Sequence, residues 1–159
     1  MARLMALDVG EARIGVAVSD SSGILASPYT TLRVSRDEAQ TWLAIQRLIG
    51  ETDAEGLVIG LPISLDGQIH GQGERVQAFA ERLKQHITIP VNFWDERLST
   101  VEAERLLAER EQNTQGHPFR RGNRRRHVTK VGRKHQGIDA IAAAVILQEY
   151  LDHSGKGKR

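Results

Sequence analysis

Residues 4–18 decide the fold, and they are Leu4-Met5-Ala6-Leu7-Asp8-Val9-Gly10-Glu11-Ala12-Arg13-Ile14-Gly15-Val16-Ala17-Val18. Two short apolar runs, partly made of β-branched residues, flank a polar connection that contains glycine. This pattern is typical of two adjacent strands joined by a turn. We therefore predict an antiparallel pair of strands here, with Asp8 closing the first of them.

Strand and helix patterns alternate after this pair. A third strand is predicted over residues 30–34, and the wholly apolar run 56–61 is typical of a strand covered on both faces. Ser35 or Asp37 is predicted to cap the helix that follows the third strand. A second helix is indicated by apolar residues on one face: Val76, Phe79, Ala80 and Leu83.

The second half of the chain continues the alternation. Residues 87–94 indicate another buried strand, which ends at Asp95-Glu96, and a capping box over residues 99–102 begins a further helix. The final helix is indicated by an apolar stripe at 3.6-residue spacing: Ile138, Ile141, Ala142, Val145 and Ile146. Together these elements predict a mixed α/β sheet with helices on both faces, antiparallel in its early strands and parallel in its later ones.

The chain is of single-domain size, and its charge is unevenly distributed. A length of 159 residues suffices for one compact core, so we expect one domain over residues 1–152 and a flexible tail at 153–159. Residues 1–111 contain 11 Lys and Arg against 17 Asp and Glu, whereas residues 112–138 contain eight cations and no acid. An acidic body with one concentrated basic segment favours a polyanionic partner.

Composition excludes several classes of protein. The absence of cysteine excludes a disulfide scaffold, a thiolate zinc site and a cysteine nucleophile. The longest apolar run, Ala140–Leu147, has eight residues, far fewer than the ~20 that span a bilayer. No signal-peptide pattern precedes the first strand. We expect a soluble, cytoplasmic protein with no membrane partner.

The basic segment is a candidate nucleic-acid-binding loop over residues 112–136. It has almost no apolar period, so we expect a loop that is mobile when unbound. Its cations fall within 15 residues: Arg120, Arg121, Arg124, Arg125, Arg126, Lys130, Arg133 and Lys134. A solvated charged loop is the alternative interpretation, and the histidines among these cations lack the spacing of zinc ligands.

Three acidic residues lie where predicted elements begin or end. Asp8 closes the first strand, Glu96 closes the last one, and Asp139 lies in the first turn of the final helix. Sites in open α/β sheets gather beyond the strand ends, so the three carboxylates could converge. Their mutual repulsion would then require cations or protonation, and hard oxygen ligands suit Mg²⁺ or Mn²⁺. Two such ions can activate a water and stabilise the leaving oxygen of a phosphodiester.

Each acid also has a structural explanation, and these alternatives stay open at the level of the residues. Asp8 before glycine is typical of a turn, and the Asp139 carboxylate would interact favourably with the positive N-terminal end of its helix. Strand alternation allows only one of Asp95 and Glu96 to face a given site. The D-x-G-x-x-x-x-G hairpin, whose glycines would let backbone amides approach a phosphate, is neither a P-loop nor a dinucleotide motif. It occurs in actin-like sugar kinases as well as in nucleases.

Four motifs, in order, resemble the YqgF family, also called RuvX. They are Leu7–Gly10 with Arg13–Ala17, Val58–Pro62 with Asp66-Gly67, Asp95–Thr100 with Glu102-Ala103, and Ile138-Asp139 with Ala142-Ala143 and Ile146-Leu147. The resemblance covers residues 3–111 and 137–152, and the Asp-Glu-Arg-Leu-Ser-Thr block is its strongest part.

This resemblance implies a ribonuclease H-like fold, similar to that of the RuvC resolvases. It implies that Asp8, Glu96 and Asp139 match the family's metal-binding catalytic acids. By matching position, three further residues would lie around that site and contact substrate phosphates: Arg13, Arg97 and Thr100. Members of the family are described as Holliday junction resolvases and as nucleases that mature the 5′ end of pre-16S ribosomal RNA.

The leading hypothesis is therefore a metal-dependent endonuclease that binds two Mg²⁺ or Mn²⁺ ions. Its segment 112–136 is longer and more basic than the usual family linker, so branched DNA and structured RNA both remain open as substrates. Resolution of a symmetric junction would require a homodimer. A non-catalytic nucleic-acid-binding factor, in ribosome assembly or transcription, is the alternative supported by the basic segment alone. An actin-like phosphotransferase is disfavoured because that class repeats its fold twice.

Overall fold

The computed structural model describes residues 2–63, 66–95 and 130–156, with the side chains of 130–136 and 155–156 outside that description. Within these ranges the strands are β1 (Leu4–Val9), β2 (Arg13–Ser19), β3 (Ala26–Arg33), β4 (Gly56–Leu61) and β5 (Val91–Asp95). The helices are α1 (Glu38–Thr52), α2 (Gly71–Lys84) and α3 (Lys130–Lys156). None of the helices described has an apolar stretch long enough to cross a bilayer.

The five strands form one mixed sheet in the order β3-β2-β1-β4-β5. β2 pairs antiparallel with both β1 and β3, whereas β4 lies parallel to β1 and β5 lies parallel to β4. The predicted change from antiparallel to parallel pairing is therefore confirmed. Because β1 is the central strand, residues at its carboxyl end lie between two neighbouring strands, β2 and β4.

Side chains of the sheet alternate between two separate cores, as the period of a strand requires. Leu7, Val16 and Ile59 are fully buried beneath α1 and α2. Ala6 and Ala17, which are cross-strand partners, are fully buried on the opposite face beneath α3. Small side chains on that face allow α3 to lie close to the sheet.

Side-chain hydrogen bonds hold the second half of α3 against the sheet. Gln148 accepts from the backbone N–H of Ala26 and donates to the carbonyl of Ile24, both at 2.9 Å. The indole Nε1 of Trp94 donates to Glu149 at 3.0 Å. These contacts join α3 to β3 and to β5, so they fix the position of the helix along the sheet.

Several predicted boundaries are wrong, although Asp37 does cap α1, accepting from the backbone N–H of Ala39 at 3.1 Å. β3 begins at residue 26 and contains Pro28, which is tolerated because β3 is an edge strand of the described sheet. β5 begins only at Val91, because Pro90 has no N–H for the ladder and its carbonyl accepts from Leu57.

The final helix is longer than predicted at both ends. Residues 130–136 were expected in the basic loop and residues 153–156 in the tail, yet both stretches belong to α3. Lys, Arg and Gln are good helix formers, and adding residues to an existing helix costs little compared with nucleating one. The helix therefore continues beyond its apolar stripe.

The buried face of α3 is rotated from the predicted one. Of the predicted stripe only Ile146 is buried, and the buried residues of the helix are Ala140, Ala143, Ile146, Leu147 and Leu151. Near Gly15, where the backbones approach closely, the buried residues are the alanines Ala140 and Ala143, and the larger ones follow further along the helix. The larger apolar residues of the predicted stripe lie at the flanks, where they are only half-buried.

Candidate active site

Asp8 lies inside β1 and faces α3. It is the cross-strand partner of Gly15, two residues beyond the Ala6–Ala17 pair that is buried beneath the helix. The strand period therefore places the Asp8 side chain on the α3 face. The alternative role of Asp8 as a turn residue is wrong, because the turn begins only after Val9.

The backbone of α3 approaches the sheet closely at Gly15. A Cβ atom placed on Gly15 would lie 1.9 Å from the carbonyl oxygen of Asp139 and 3.0 Å from the nitrogen of Ala140. The helix backbone thus occupies the space that a side chain at position 15 would need. An isolated glycine inside a strand is a known signal of such an approach, whereas the hairpin motif suggests a phosphate contact at this glycine instead.

The same contact brings Asp8 and Asp139 together. Directly opposite Cβ atoms in antiparallel strands are about 5 Å apart, so the Asp8 Cβ lies within about 7 Å of the Asp139 carbonyl. Asp8 and Asp139 therefore converge at the carboxyl end of β1, although 130 residues separate them in the chain. Carboxylate oxygens are the donor type that Mg²⁺ and Mn²⁺ prefer, so the chemistry of these two acids fits a divalent cation.

Arg13 lies beside Asp139. Its Nε donates to Asp139 Oδ2 at 2.8 Å, and the two side chains are 41% and 24% exposed. Asp139 does not lie in the first turn of its helix, because α3 begins nine residues earlier. The helix-dipole alternative for Asp139 is thereby wrong, since that effect is confined to the terminal turn.

The faces of β5 distinguish between Asp95 and its neighbours. Phe93 packs against the core beneath α1 and α2, whereas Trp94 packs against the core beneath α3. Asp95 pairs with Leu61 and shares the face of Phe93, so it points away from the face that carries Asp8. Asp95 is therefore excluded from the cluster that contains Asp8 and Asp139.

The remaining predicted site residues lie outside the described residues. They are Glu96, Arg97, Thr100, Arg120, Arg121, Arg124, Arg125 and Arg126, together with the side chains of Lys130, Arg133 and Lys134 in α3. The Ser99–Glu102 capping box and its helix lie there as well. Among the side chains that the structure does describe, no group of three acids or histidines could hold a metal ion.

Solved structures with the same fold identify the structural class. RuvC of Thermus thermophilus in complex with a Holliday junction matches with a TM-score of 0.54, at 11% identity, over 96% of each chain. A second Thermus thermophilus RuvC structure matches with a TM-score of 0.55 over 98% of this chain and 96% of that one. At this low identity the two matches show the fold alone. Together with the sheet order, they define a ribonuclease H-like fold.

Sequence comparison narrows the class to one family. A family model described as "RuvX: Holliday junction resolvase" matches residues 2–153. Two relatives bear the name "Putative pre-16S rRNA nuclease", one from Thermoanaerobacter pseudethanolicus at 39% identity and one from Caldanaerobacter subterraneus subsp. tengcongensis at 42%. Each match covers 94% of this chain and 96% of the relative. The chain belongs to the RuvX family, which makes it a nuclease of ribonuclease H-like fold.

Proposed function

We propose that this protein is a divalent-metal-dependent endonuclease that cleaves structured nucleic acid at the carboxyl end of β1. The convergence of Asp8 and Asp139 on one face of the sheet is the observation that carries the proposal. A solely structural acid in α3 would need only its partner Arg13. Two carboxylates brought close together repel each other, and a divalent cation bound between them would add to the relief that Arg13 gives Asp139.

In this proposal Asp8 and Asp139 hold the cations through their carboxylate oxygens. Bound Mg²⁺ or Mn²⁺, in two copies, would lower the pKa of the attacking water and neutralise the charge that develops on the leaving oxygen. Arg13 keeps the Asp139 carboxylate in position by donating to Oδ2. Because Arg13 is 41% exposed, its remaining guanidinium N–H groups can also donate to a substrate phosphate.

Glu96 is proposed as the third carboxylate. It follows Asp95 directly, and the faces of β5 support this assignment over Asp95. Trp94 faces α3 and Asp95 faces the other side of the sheet, so Asp95 does not compete with Glu96 for this role, and Glu96 itself lies outside the described residues.

The basic segment is proposed to hold the phosphate backbone of the substrate. Arg97, Thr100 and the cations between residues 120 and 134 would contact phosphates without reading sequence. The family description and the names of the relatives support two substrates, a Holliday junction or other branched DNA and the 5′ end of pre-16S ribosomal RNA. Resolution of a symmetric junction would take two copies of the chain related by a two-fold axis.

A parallel cleavage panel tests the proposal. Four-way junction, flap, duplex, single-stranded DNA and precursor ribosomal RNA are each incubated with Mg²⁺, with Mn²⁺ and with a chelator. We expect cleavage of at least one structured substrate that requires the metal. Binding without cleavage on every substrate would favour the non-catalytic factor instead, and ATP-dependent thermal stabilisation would favour the phosphotransferase.

The variant Arg13→Gln tests whether Arg13 positions Asp139 for cleavage or only stabilises the fold. We expect cleavage to fall by about 10- to 100-fold, as is typical when the partner of a metal ligand is lost. An exposed ion pair contributes at most about 1 kcal/mol, so the melting temperature should fall by less than about 4 °C. Arg3→Gln is the matched control, because Arg3 donates to the Thr52 carbonyl at the opposite end of β1. Equal cleavage by both variants would remove Arg13 from the site.

A further inference from the structure

Arg33, the last residue of β3, lies beside Arg13 at the edge of the sheet that carries the acidic pair. The two arginines are cross-strand partners in the antiparallel register of β2 with β3, so their Cβ atoms are about 5 Å apart. Arg13 shares the face of Gly15 and donates to Asp139 on α3. Leu32 packs against the core on the opposite face, so Arg33 also points to the α3 side of the sheet.

The two neighbouring guanidinium groups are neutralised unequally. Arg13 has Asp139 as its ion-pair partner. Arg33 is exposed and forms no ion pair with any acid whose side chain the structure describes. Like charges directly opposite each other in antiparallel strands destabilise the pair of strands. One carboxylate therefore serves two adjacent cations, and an anion from outside the described chain would neutralise the excess positive charge.

Backbone contacts fix the position of Arg33. The N–H of Val34 donates to the carbonyl of Ala12 at 3.0 Å, which joins the end of β3 to the β1–β2 turn. The pairing of β2 with β3 is regular around Arg33, because its irregularity lies further along β2, between Val16 and Ala17. Arg33 thus projects from a rigid strand, and binding residues on strands are positioned more precisely than those on loops.

We propose that Arg33 is a further substrate-binding residue, which together with Arg13 holds a backbone phosphate beside the cleaved linkage and directs that strand across β2 and β3. Two adjacent guanidinium groups can donate several N–H groups to one phosphate. Such a contact positions the strand without reading its sequence. This inference rests on the proposed function, because it assumes that the acidic pair marks the cleaved linkage.

The distance between Arg33 and the acidic pair assigns the contact to a flanking phosphate. Two strand spacings and two residues along the strand separate Arg33 from Asp8, so their Cα atoms are about 12 Å apart. The acids and Arg33 therefore bind different linkages of one strand.

A groove between β3 and α3 provides a path for that strand beyond Arg33. It measures about 460 Å³ and is lined by residues 28–31 of β3 and by Gly137, Ala140 and Ile141 of α3. Thr31 in its floor lies two residues from Arg33 on the same face. None of the described lining residues is acidic, so a phosphate backbone meets no like charge there.

The salt dependence of binding tests the Arg33 contact without any cleavage. A four-way DNA junction and precursor ribosomal RNA are each titrated in chelator at several salt concentrations, with the wild type and with Arg33→Gln. Each neutralised phosphate contributes about 0.7–0.9 to the slope of log affinity against log salt concentration. We expect the variant to lose one such contribution, which corresponds to binding weaker by about five- to eightfold at about 0.1 M salt.

Two further variants separate a phosphate contact from a general effect of charge. Arg47→Gln is the matched control, because it removes the same charge from α1 on the other face of the sheet, where Arg47 is 70% exposed. Its salt slope should equal that of the wild type. Arg33→Lys keeps the charge and should retain most of the slope.

Thermal melting separates binding from a structural role of Arg33. Arg33→Gln should melt at the wild-type temperature or slightly above it, because the repulsion from Arg13 is relieved. A merely structural arginine would instead lower the melting temperature and leave the salt slope unchanged.

A scan of neutral linkages locates the contacted phosphate. Single methylphosphonates replace the phosphates around the cleaved linkage of the junction one at a time, and binding is measured in chelator. The wild type should lose affinity at a flanking linkage to which Arg33→Gln is insensitive, whereas both proteins should respond equally at the other linkages.

The outcomes distinguish this inference from the proposed function. A salt slope of Arg33→Gln equal to that of the wild type, or salt-independent binding of both nucleic acids by the wild type, overturns the inference. Metal-dependent cleavage with an unchanged slope overturns the inference alone. A slope that depends on Arg33, without cleavage of any substrate, overturns the proposed cleavage and leaves the phosphate contact.

Discussion

Replacing Asp139 by asparagine is expected to reduce cleavage of branched DNA and of precursor ribosomal RNA by at least about 100-fold. Loss of the groups that support a metal ligand already costs 10- to 100-fold, and this change removes the charge of a proposed ligand itself. The amide oxygen still accepts from Arg13, so the packing of α3 is preserved. Initial rates in Mg²⁺ and in Mn²⁺, together with binding measured in chelator, are the readouts.

Asp152→Asn is the matched control for this substitution. Asp152 lies on the same helix, is exposed and accepts from Gln148 at 3.1 Å, far from the Gly15 contact. We expect its cleavage rate to equal that of the wild type. Lost cleavage with retained binding in the Asp139 variant supports the proposed role, while undiminished cleavage would remove Asp139 from catalysis.

Replacing Gly15 by alanine is expected to lower the free energy of unfolding by about 3 kcal/mol or more, the upper range for overpacked cores. The new Cβ would lie 1.9 Å from the backbone of Asp139, and a backbone cannot rotate out of the way as a side chain can. At this chain length the loss corresponds to a melting temperature lower by about 6 °C or more. The cleavage rate should also be reduced at temperatures well below the melting temperature, where the variant is still folded, because α3 would carry Asp139 away from Asp8.

Gly50→Ala provides the opposite expectation for the same chemical change. Gly50 lies inside α1, and a Cβ atom there would meet no atom within 4 Å. Alanine at such a position should raise the free energy of unfolding by about 0.5–1 kcal/mol, because glycine has more backbone freedom to lose on folding. If Gly15→Ala melts at the wild-type temperature while Gly50→Ala behaves as expected, the close approach of α3 to the sheet is wrong.

Local patterns were sufficient for the elements that a short window of sequence controls. Such patterns predict the first two strands, the buried strand β4 and a cap of α1 at Ser35 or Asp37, because each depends on side-chain alternation, an apolar run or one capping residue. They do not predict the limits of α3, because helix extension depends on what already holds the helix in place. Its buried face was also missed, because the close approach of the helix backbone to Gly15 depends on a distant strand.

Periodicity, composition and short motifs are enough to predict the mixed sheet, the separation of an acidic body from a basic segment, and a set of candidate acids. Each of these can be obtained from the residues of one stretch of the chain, without knowing which distant segments it contacts. Only the tertiary structure decided that Asp8 faces α3, that Asp139 pairs with Arg13, and that Asp95 faces away. Each depends on the contact at Gly15 or on the register of β4 with β5, where distant segments meet at distances that a linear pattern does not contain.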